Sequence, residues 1–305
     1  MFLVPPLAHV VLAVFLAPLM PGLINRTKAC FAGRRGQPLL QAYYDLWKLA
    51  QKGAVYSMTA GWPLVAGPIV GLACALAALL IVPLGGVPGL LAFPGDFLLL
   101  AYLLGLMRFF TILAALDTGS SFEGMGSSRE AFYAALAEPA LLLGLATLAA
   151  YAHHLSLSDM VLAIGPGTMT SQAGPAMLLV ATAFLIVFLA ENARIPIDDP
   201  NTHLELTMIH EAMVLDHGGP DLAMIHYGAM LKLWVLGSLL VGILVPVRSG
   251  WWAVDLAAGV GGMAGLAVVV GAIESTIARL RLLRVPQFLI AASVLSILAL
   301  ILVMR

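Results

Sequence analysis

The sequence predicts an all-α integral membrane protein with eight transmembrane helices, both termini on the non-cytoplasmic side, and amphipathic helices in the cytoplasmic loops. Three observations lead to this fold class. Of 305 residues, 61% are hydrophobic and only 10% charged, far from the balance of a soluble domain. The apolar residues gather into runs of about 20, the length at which a helix crosses a bilayer while satisfying its own backbone groups. The basic residues fall almost entirely on alternate connections between those runs.

The uncharged runs place spans at residues 3–24, 62–83, 97–116, 131–152, 175–193, 227–247, 251–273 and 287–304. The first has no Lys or Arg before it and no small-residue cleavage site, so it reads as a retained helix and not as a signal peptide. Arg26, Lys28, Arg34, Arg35, Lys48 and Lys52 follow that span, and Arg129, Arg194, Arg279, Arg281 and Arg284 share its side. Only Arg248 and Arg305 fall opposite, while Arg108 and Lys232 lie inside spans. Basic loops remain in the cytoplasm, which sets the orientation.

The chain reads as a single membrane domain over residues 1–305, with cytoplasmic loops near 25–61, 117–130, 194–226 and 274–286. The outer connections, 84–95 and 153–174, are Gly/Pro-rich and read as plain turns. Cys30 and Cys74 have no Cys-x-x-Cys partner, so the chain offers neither an iron–sulfur nor a zinc ligand set and carries no metal or redox cofactor of its own. No basic face with interleaved aromatics exists for nucleic acid.

In the first cytoplasmic loop Leu39, Tyr43, Leu46 and Ala50 recur at helical spacing, predicting an amphipathic helix over 38–52 with Tyr43, Tyr44 and Trp47 at headgroup level. It serves either as a lipid-surface anchor or as a docking surface. The second loop carries Asp117, Glu123 and Glu130 in a Gly/Ser-rich stretch expected to be non-helical in its middle, with Ser127 or Ser128 starting the fourth span.

Arg108 and Glu138 lie about two turns inside their spans, and Glu191 lies near the end of the fifth. Ionisable groups at such depth mark ion paths, or pair structurally, as Arg108 with Glu138 or Asp117 would. Lys232, a turn into the sixth span, is long enough to snorkel to the interface.

The third loop holds Arg194, Pro196, Asp198, His203, Glu205, His210, Glu211 and His217. Asp199 as cap, Pro200 in the first turn and Gly218 with Pro220 at the end predict a cytoplasmic helix of about eighteen residues. His203, His210 and His217 would share one face, but seven residues is about 10.5 Å of rise, too far for two of them to bind one metal.

Arg34-Arg35-Gly36, Leu40-Gln41 and Asp45-Leu-Trp-Lys48-Leu in the first loop, Leu116-Asp117-Thr-Gly-Ser in the second, and Arg194-Ile-Pro196-Ile-Asp198 in the third carry a family resemblance. The chain resembles the eight-helix membrane subunit of respiratory complex I and of membrane-bound nickel–iron hydrogenases. The phrase Thr202-His203-Leu-Glu205-Leu-Thr-Met-Ile-His210-Glu211 brings it closest to the hydrogenase-4 and formate hydrogenlyase branch.

The resemblance implies a non-catalytic anchor and coupling subunit of an oxidoreductase complex in the cell inner membrane. It implies a hydrogenase-like large subunit with a nickel–iron centre, an iron–sulfur small subunit and antiporter-like membrane subunits as partners. Carried over by motif, Arg34, Arg35, Asp45 and Lys48 would dock the peripheral arm, and Asp117, Glu123, Glu130, Glu138, Glu191, Asp198, Glu205 and Glu211 would form the ion path. Gln37 intervenes before Pro38, and Asn201 and Ile197 stand where the quinone-using branch has an acid and a Phe. A quinone-reducing complex I-like subunit is the alternative. A stand-alone secondary transporter is a further one, for which matching halves with interrupted helices are expected and not seen.

Overall fold

The computed structural model describes residues 3–57, 60–198, 209–278 and 280–305. The helices in chain order are α1 (Val4–Leu16), α2 (Leu19–Phe31), α3 (Gln41–Ala50), α4 (Trp62–Ile81), α5 (Asp96–Asp117) and α6 (Ser121–Ala152). They continue with α7 (Leu157–Leu162), α8 (Gly174–Glu191), α9 (Gly219–Leu244), α10 (Trp252–Thr276) and α11 (Val285–Met304). Among the described residues α4, α5, α6, α8, α9, α10 and α11 are long and apolar enough to cross a membrane, and the bent α1–α2 pair, counted as one span, brings the number to eight. An even number of crossings returns the chain to the side on which it began. The termini therefore share one end of the bundle, and the basic connections occupy the other, called here the basic face.

The first span is not the single straight helix expected, for it bends by 50° between α1 and α2. Pro18 and Pro21 supply the cause, since proline lacks an amide hydrogen and its ring clashes with the carbonyl four residues back. The carbonyls left free are met from elsewhere. Tyr227 Oη donates to Val14 O at 3.0 Å, and Tyr43 Oη donates to Phe15 O. In hydrocarbon a polar group without such a partner is costly, so the kink fastens α3 and α9 to the first span.

Within the bundle α4 lies along α5 and α9, α11 along α6 and α8, and α10 along α2. Trp234, Phe188, Leu79, Leu145 and Leu148 are buried between them, while Tyr102, Phe109, Ile290 and Ile301 point outward, as lipid-facing side chains do. Lipid is as apolar as leucine, so tight packing and internal hydrogen bonds hold such helices together. Gly144 on α6 shows the fit: a Cβ there would lie 2.2 Å from the Phe184 ring on α8.

Three loop expectations are corrected. The Gly/Ser-rich second loop is helical except for the break at Thr118–Ser120, and α6 begins at Ser121 instead of Ser127 or Ser128. In the third loop the expected helix lies partly in residues 199–208, outside the described residues. Its described end is a 3₁₀ turn, Glu211–Val214, and Gly218 and Pro220, expected to close a helix, open α9 instead. Proline is as well suited to a first turn as to the segment after a last one, which is why the sequence reads either way.

The outer connection 153–174 is more than a turn, since it contains α7 with Leu157, Met160 and Val161 fully buried. The Asp96 carboxylate accepts from Leu157 N at 2.6 Å and Ser156 Oγ at 3.0 Å, and Arg248 donates to Gly85 O at 2.7 Å and Val161 O at 2.8 Å. These bonds staple the outer loops to the bundle.

Candidate functional site

The helices converge on a cluster of charge at the basic end of the bundle. Arg108, on α5, reaches Glu138 of α6 through Nη1 and Glu191 of α8 through Nη2, both at 2.5 Å, and its Nε lies 3.7 Å from Glu130 of α6. Lys232, on α9, approaches the second oxygen of Glu191 at 3.7 Å. Four helices thus each contribute to one network. The planar guanidinium is suited to this task, because its fixed fork binds two carboxylates at once, which an ammonium does not.

Beyond Glu191 the chain turns sharply, with Ala193 in the left-handed region at φ 49° and Arg194 N bonded to Leu189 O at 2.9 Å. That turn ends α8 and leads into the third loop. The buried Asp198 carboxylate there accepts from Ile209 N and His210 N at 3.2 Å each, tying the two described ends of the loop together. Glu274, on α10, holds the loop from the other side. Its side chain is fully buried and pairs with Lys28 of α2 at 2.8 Å and Arg194 at 3.5 Å.

Three spaces surround the cluster. A chamber of 400 Å³ opens at the basic face, its polar lining including Asn25, Arg194, Asp198, His210, Glu211 and Lys232. A gap of 20 Å³, room for a single water, lies between Glu130, Glu191 and Asp198 and against the small α6 residues Ala134 and Ala137. A groove of 550 Å³ between α5 and α6 has apolar walls such as Tyr102, Phe109 and Leu142 and a charged floor of Arg108 and Glu138. Glu191 lines all three. It is therefore the joint between chamber and groove.

Burial shapes the chemistry of the loop. His210 is driven down from the ordinary 6.5 to a pKa of about 3, first by loss of solvent and then by the charges of Lys232 and His226. Its ring is neutral at physiological pH. The Glu211 carboxyl is pushed up by burial and by the Asp198 charge, which makes it a readier proton carrier than an exposed glutamate. Burial also lowers His217, whose ring Nε2 lies 3.2 Å from Leu64 O. Among the described residues no group of three or more His, Cys, Asp or Glu side chains is placed to hold a metal.

The structure brings together Glu130, Glu138, Glu191, Asp198 and Glu211 with Arg108 and Lys232. Two other sequence candidates stand apart as loop fastenings. Asp117 accepts from Gly61 N at 2.5 Å at the start of α4, and buried Glu123 accepts from Asp216 N at 3.1 Å and from the Thr118 hydroxyl. Glu205 and His203 lie outside the described residues, and His210, in a turn, and His217, beyond the 3₁₀ segment, do not share a helix face. Lys232 does not snorkel away but points at Glu191. Arg34, Arg35, Asp45 and Lys48 are exposed at the basic face.

Sequence reasoning missed Glu274, Asn25 and His226. For His226 the signal was present: with α9 starting at Gly219, residues 226, 229, 230 and 233 form one helical stripe lining the chamber.

Comparison with known proteins agrees with this architecture. The chain is 34% identical over 242 residues to hydrogenase-4 component C of Escherichia coli (strain K12), covering 79% of this chain and 74% of that one. It is 29% identical over 283 residues to formate hydrogenlyase subunit 4 of the same organism, covering 91% of each. Its fold matches a chain of the membrane-bound sulfane sulfur reductase, an archaeal respiratory membrane complex, with a TM-score of 0.81 at 21% identity, covering 97% of this chain and 98% of that one. A match to the NADH dehydrogenase family extends from residue 5 to residue 304, and the chain belongs to that family.

Proposed function

We propose that this chain is the membrane anchor and coupling subunit of an energy-converting, membrane-bound nickel–iron hydrogenase-type complex. One observation carries the reading: Glu191 joins a solvent-reaching chamber to a side groove through a buried network of acids bridged by Arg108. A scaffold alone has no use for so much buried charge, which costs free energy unless paired. The likeness to hydrogenase-4 component C and formate hydrogenlyase subunit 4 supports the assignment of the complex.

In this reading the basic face is cytoplasmic. Exposed Arg34, Arg35 and Lys48 dock a peripheral arm made of a hydrogenase-like large subunit with its nickel–iron centre and an iron–sulfur small subunit, with Asp45 at the edge of that contact where α3 borders a cavity. The groove at Glu138 faces antiporter-like membrane subunits, because its half-exposed carboxylate, 49% accessible, needs cover within the bilayer. The chain itself handles protons, not electrons.

Glu130, Glu138 and Glu191 gather around Arg108 and Lys232, three carboxylates to two cations, an excess of negative charge that favours uptake of a proton somewhere in the set. A charge change at the docked subunits alters which carboxylate holds that proton. A proton arriving on Glu191 weakens its hold on Arg108 and shifts the guanidinium towards Glu138. The groove side then senses an event in the chamber, and partner subunits convert it into proton or sodium movement.

Purification of the tagged chain in mild detergent tests this assignment. The expected result is co-purification with a large subunit containing nickel and iron and with antiporter-like membrane subunits. Isolation as a lone polypeptide contradicts it, and a complex with iron but no nickel moves the reaction to another acceptor such as a quinone.

A further inference from the structure

The chamber has a neighbour. A second cavity, of 200 Å³, lies between α2, α3 and α9, and Asn25, Asp45 and His226 line both spaces. The wall between them is therefore built partly from groups able to accept and pass a proton. Gly22 on α2 lines the second cavity, and a Cβ there would lie 2.3 Å from Leu39 O, so the chain leading into α3 rests directly on the helix backbone. Tyr43 and Tyr227 fasten α3 and α9 to the kink in the first span, which fixes the frame of the cavity.

Asp45 is exposed on α3 and held in place by Gln41 Nε2, which donates to its Oδ1 at 2.8 Å. Its charge acts on the ring of His226, which is half-buried on α9. On the chamber side of that ring stand His210, Glu211, Asp198 and Lys232, with Arg194 engaged by Glu274. An imidazole accepts a proton at one nitrogen and releases one from the other, so it relays protons between two compartments without a net change in charge.

We propose that Asp45 and His226 form a proton inlet on the α3 side, feeding the buried acids from solution through the second cavity. In each passage the Asp45 carboxylate takes one proton from a hydronium ion, leaving water, and hands it to a His226 ring nitrogen. The other ring nitrogen releases one proton towards Glu211 and Asp198, and no electron moves. The inlet rests on the reading of those acids as an ion path, and it enters beside α3, apart from the third loop.

The test uses the whole complex in sealed vesicles, with coupled ion transport and electron transfer measured together. His226→Ala is expected to slow transport by about a hundredfold, the lower end of the usual range for a lost proton-transfer group, and added imidazole, small enough for the cavity, is expected to restore part of it. Asp45→Asn is expected to slow transport without imidazole rescue, and Ala42→Trp, which fills the second cavity, to slow it likewise. Unchanged transport in both His226→Ala and Asp45→Asn, or a His226→Ala loss that imidazole leaves untouched, overturns the inlet. Where His226→Ala does not assemble, Asp45→Asn with Ala42→Trp decides. Glu138→Gln in the same vesicles separates the two ideas: normal transport there defeats the ion path itself, whereas a slowed Glu138→Gln beside normal inlet variants defeats only the inlet.

Discussion

Arg108 and Glu191 meet at 2.5 Å with side chains 10% and 6% accessible, while Glu138, at the same distance from the same guanidinium, is 49% accessible. The two ion pairs therefore differ in consequence. Removing Arg108 strands Glu191 without its closest cation, and breaking a buried pair in this way costs about 3–5 kcal/mol. Arg108→Gln is expected to lower the thermal unfolding temperature of the purified complex well below that of Glu138→Gln. Arg108→Lys is expected to fall between, because one ammonium cannot span both carboxylates. Equal unfolding temperatures in Arg108→Gln and Glu138→Gln would show that Glu191 draws its compensation from elsewhere.

Two glycines two residues apart on α6, and so on different faces of it, give opposite expectations. A Cβ at Gly126 would lie 2.9 Å from Ile209 O and 3.1 Å from the Ala212 and Met213 side chains, whereas nothing lies within 4 Å of one at Gly124. Gly126→Ala is expected to destabilise by about 1–3 kcal/mol through overpacking, and to displace the turn that carries His210 and Glu211. Gly124→Ala is expected to be neutral or to stabilise by up to about 1 kcal/mol through helix propensity. Paired thermal unfolding curves check both.

The same pair explains a limit of the sequence. Gly124, Gly126 and their serine neighbours read as a loop because glycine and serine disfavour helices locally. Packing of α6 against the third loop reverses that preference, and packing is not written in the local composition. The long spans were legible since twenty apolar residues leave the chain few choices in lipid. Arg108, Glu138 and Glu191 were legible as candidates because charge inside such runs is rare. The Arg108–Glu138 pair was legible on the same ground. The link from Lys28 through Glu274 to Arg194 was not, since it joins residues far apart in sequence. Asp117 and Glu123 look no different in the sequence from Glu130, and only the backbone amides in front of them set them apart.

His210 gives a pH dependence of definite sign. Its folded pKa of about 3 lies below the ordinary value of 6.5, so between these limits the unfolded chain binds more protons than the folded one. Stability contributed by the neutral ring is full above pH 6.5 and is lost as pH falls towards about 3. Glu211, with its carboxyl pushed up, opposes this trend above the ordinary glutamate range. His210→Gln is expected to flatten the loss of stability on acidification over this window, read from unfolding temperatures at stepped pH. An unchanged slope would mean that the ring is already solvated.

The central claim is that the acids joined at Arg108 couple chamber to groove. The most direct measurement is the number of ions transported per electron pair by the complex carrying Glu138→Gln, reconstituted beside the unaltered complex. Amide and carboxylate have nearly the same shape, so assembly and electron transfer are expected to persist while the ion-to-electron ratio falls severalfold. A ratio equal to that of the unaltered complex would remove Glu138 from the path and contradict the account.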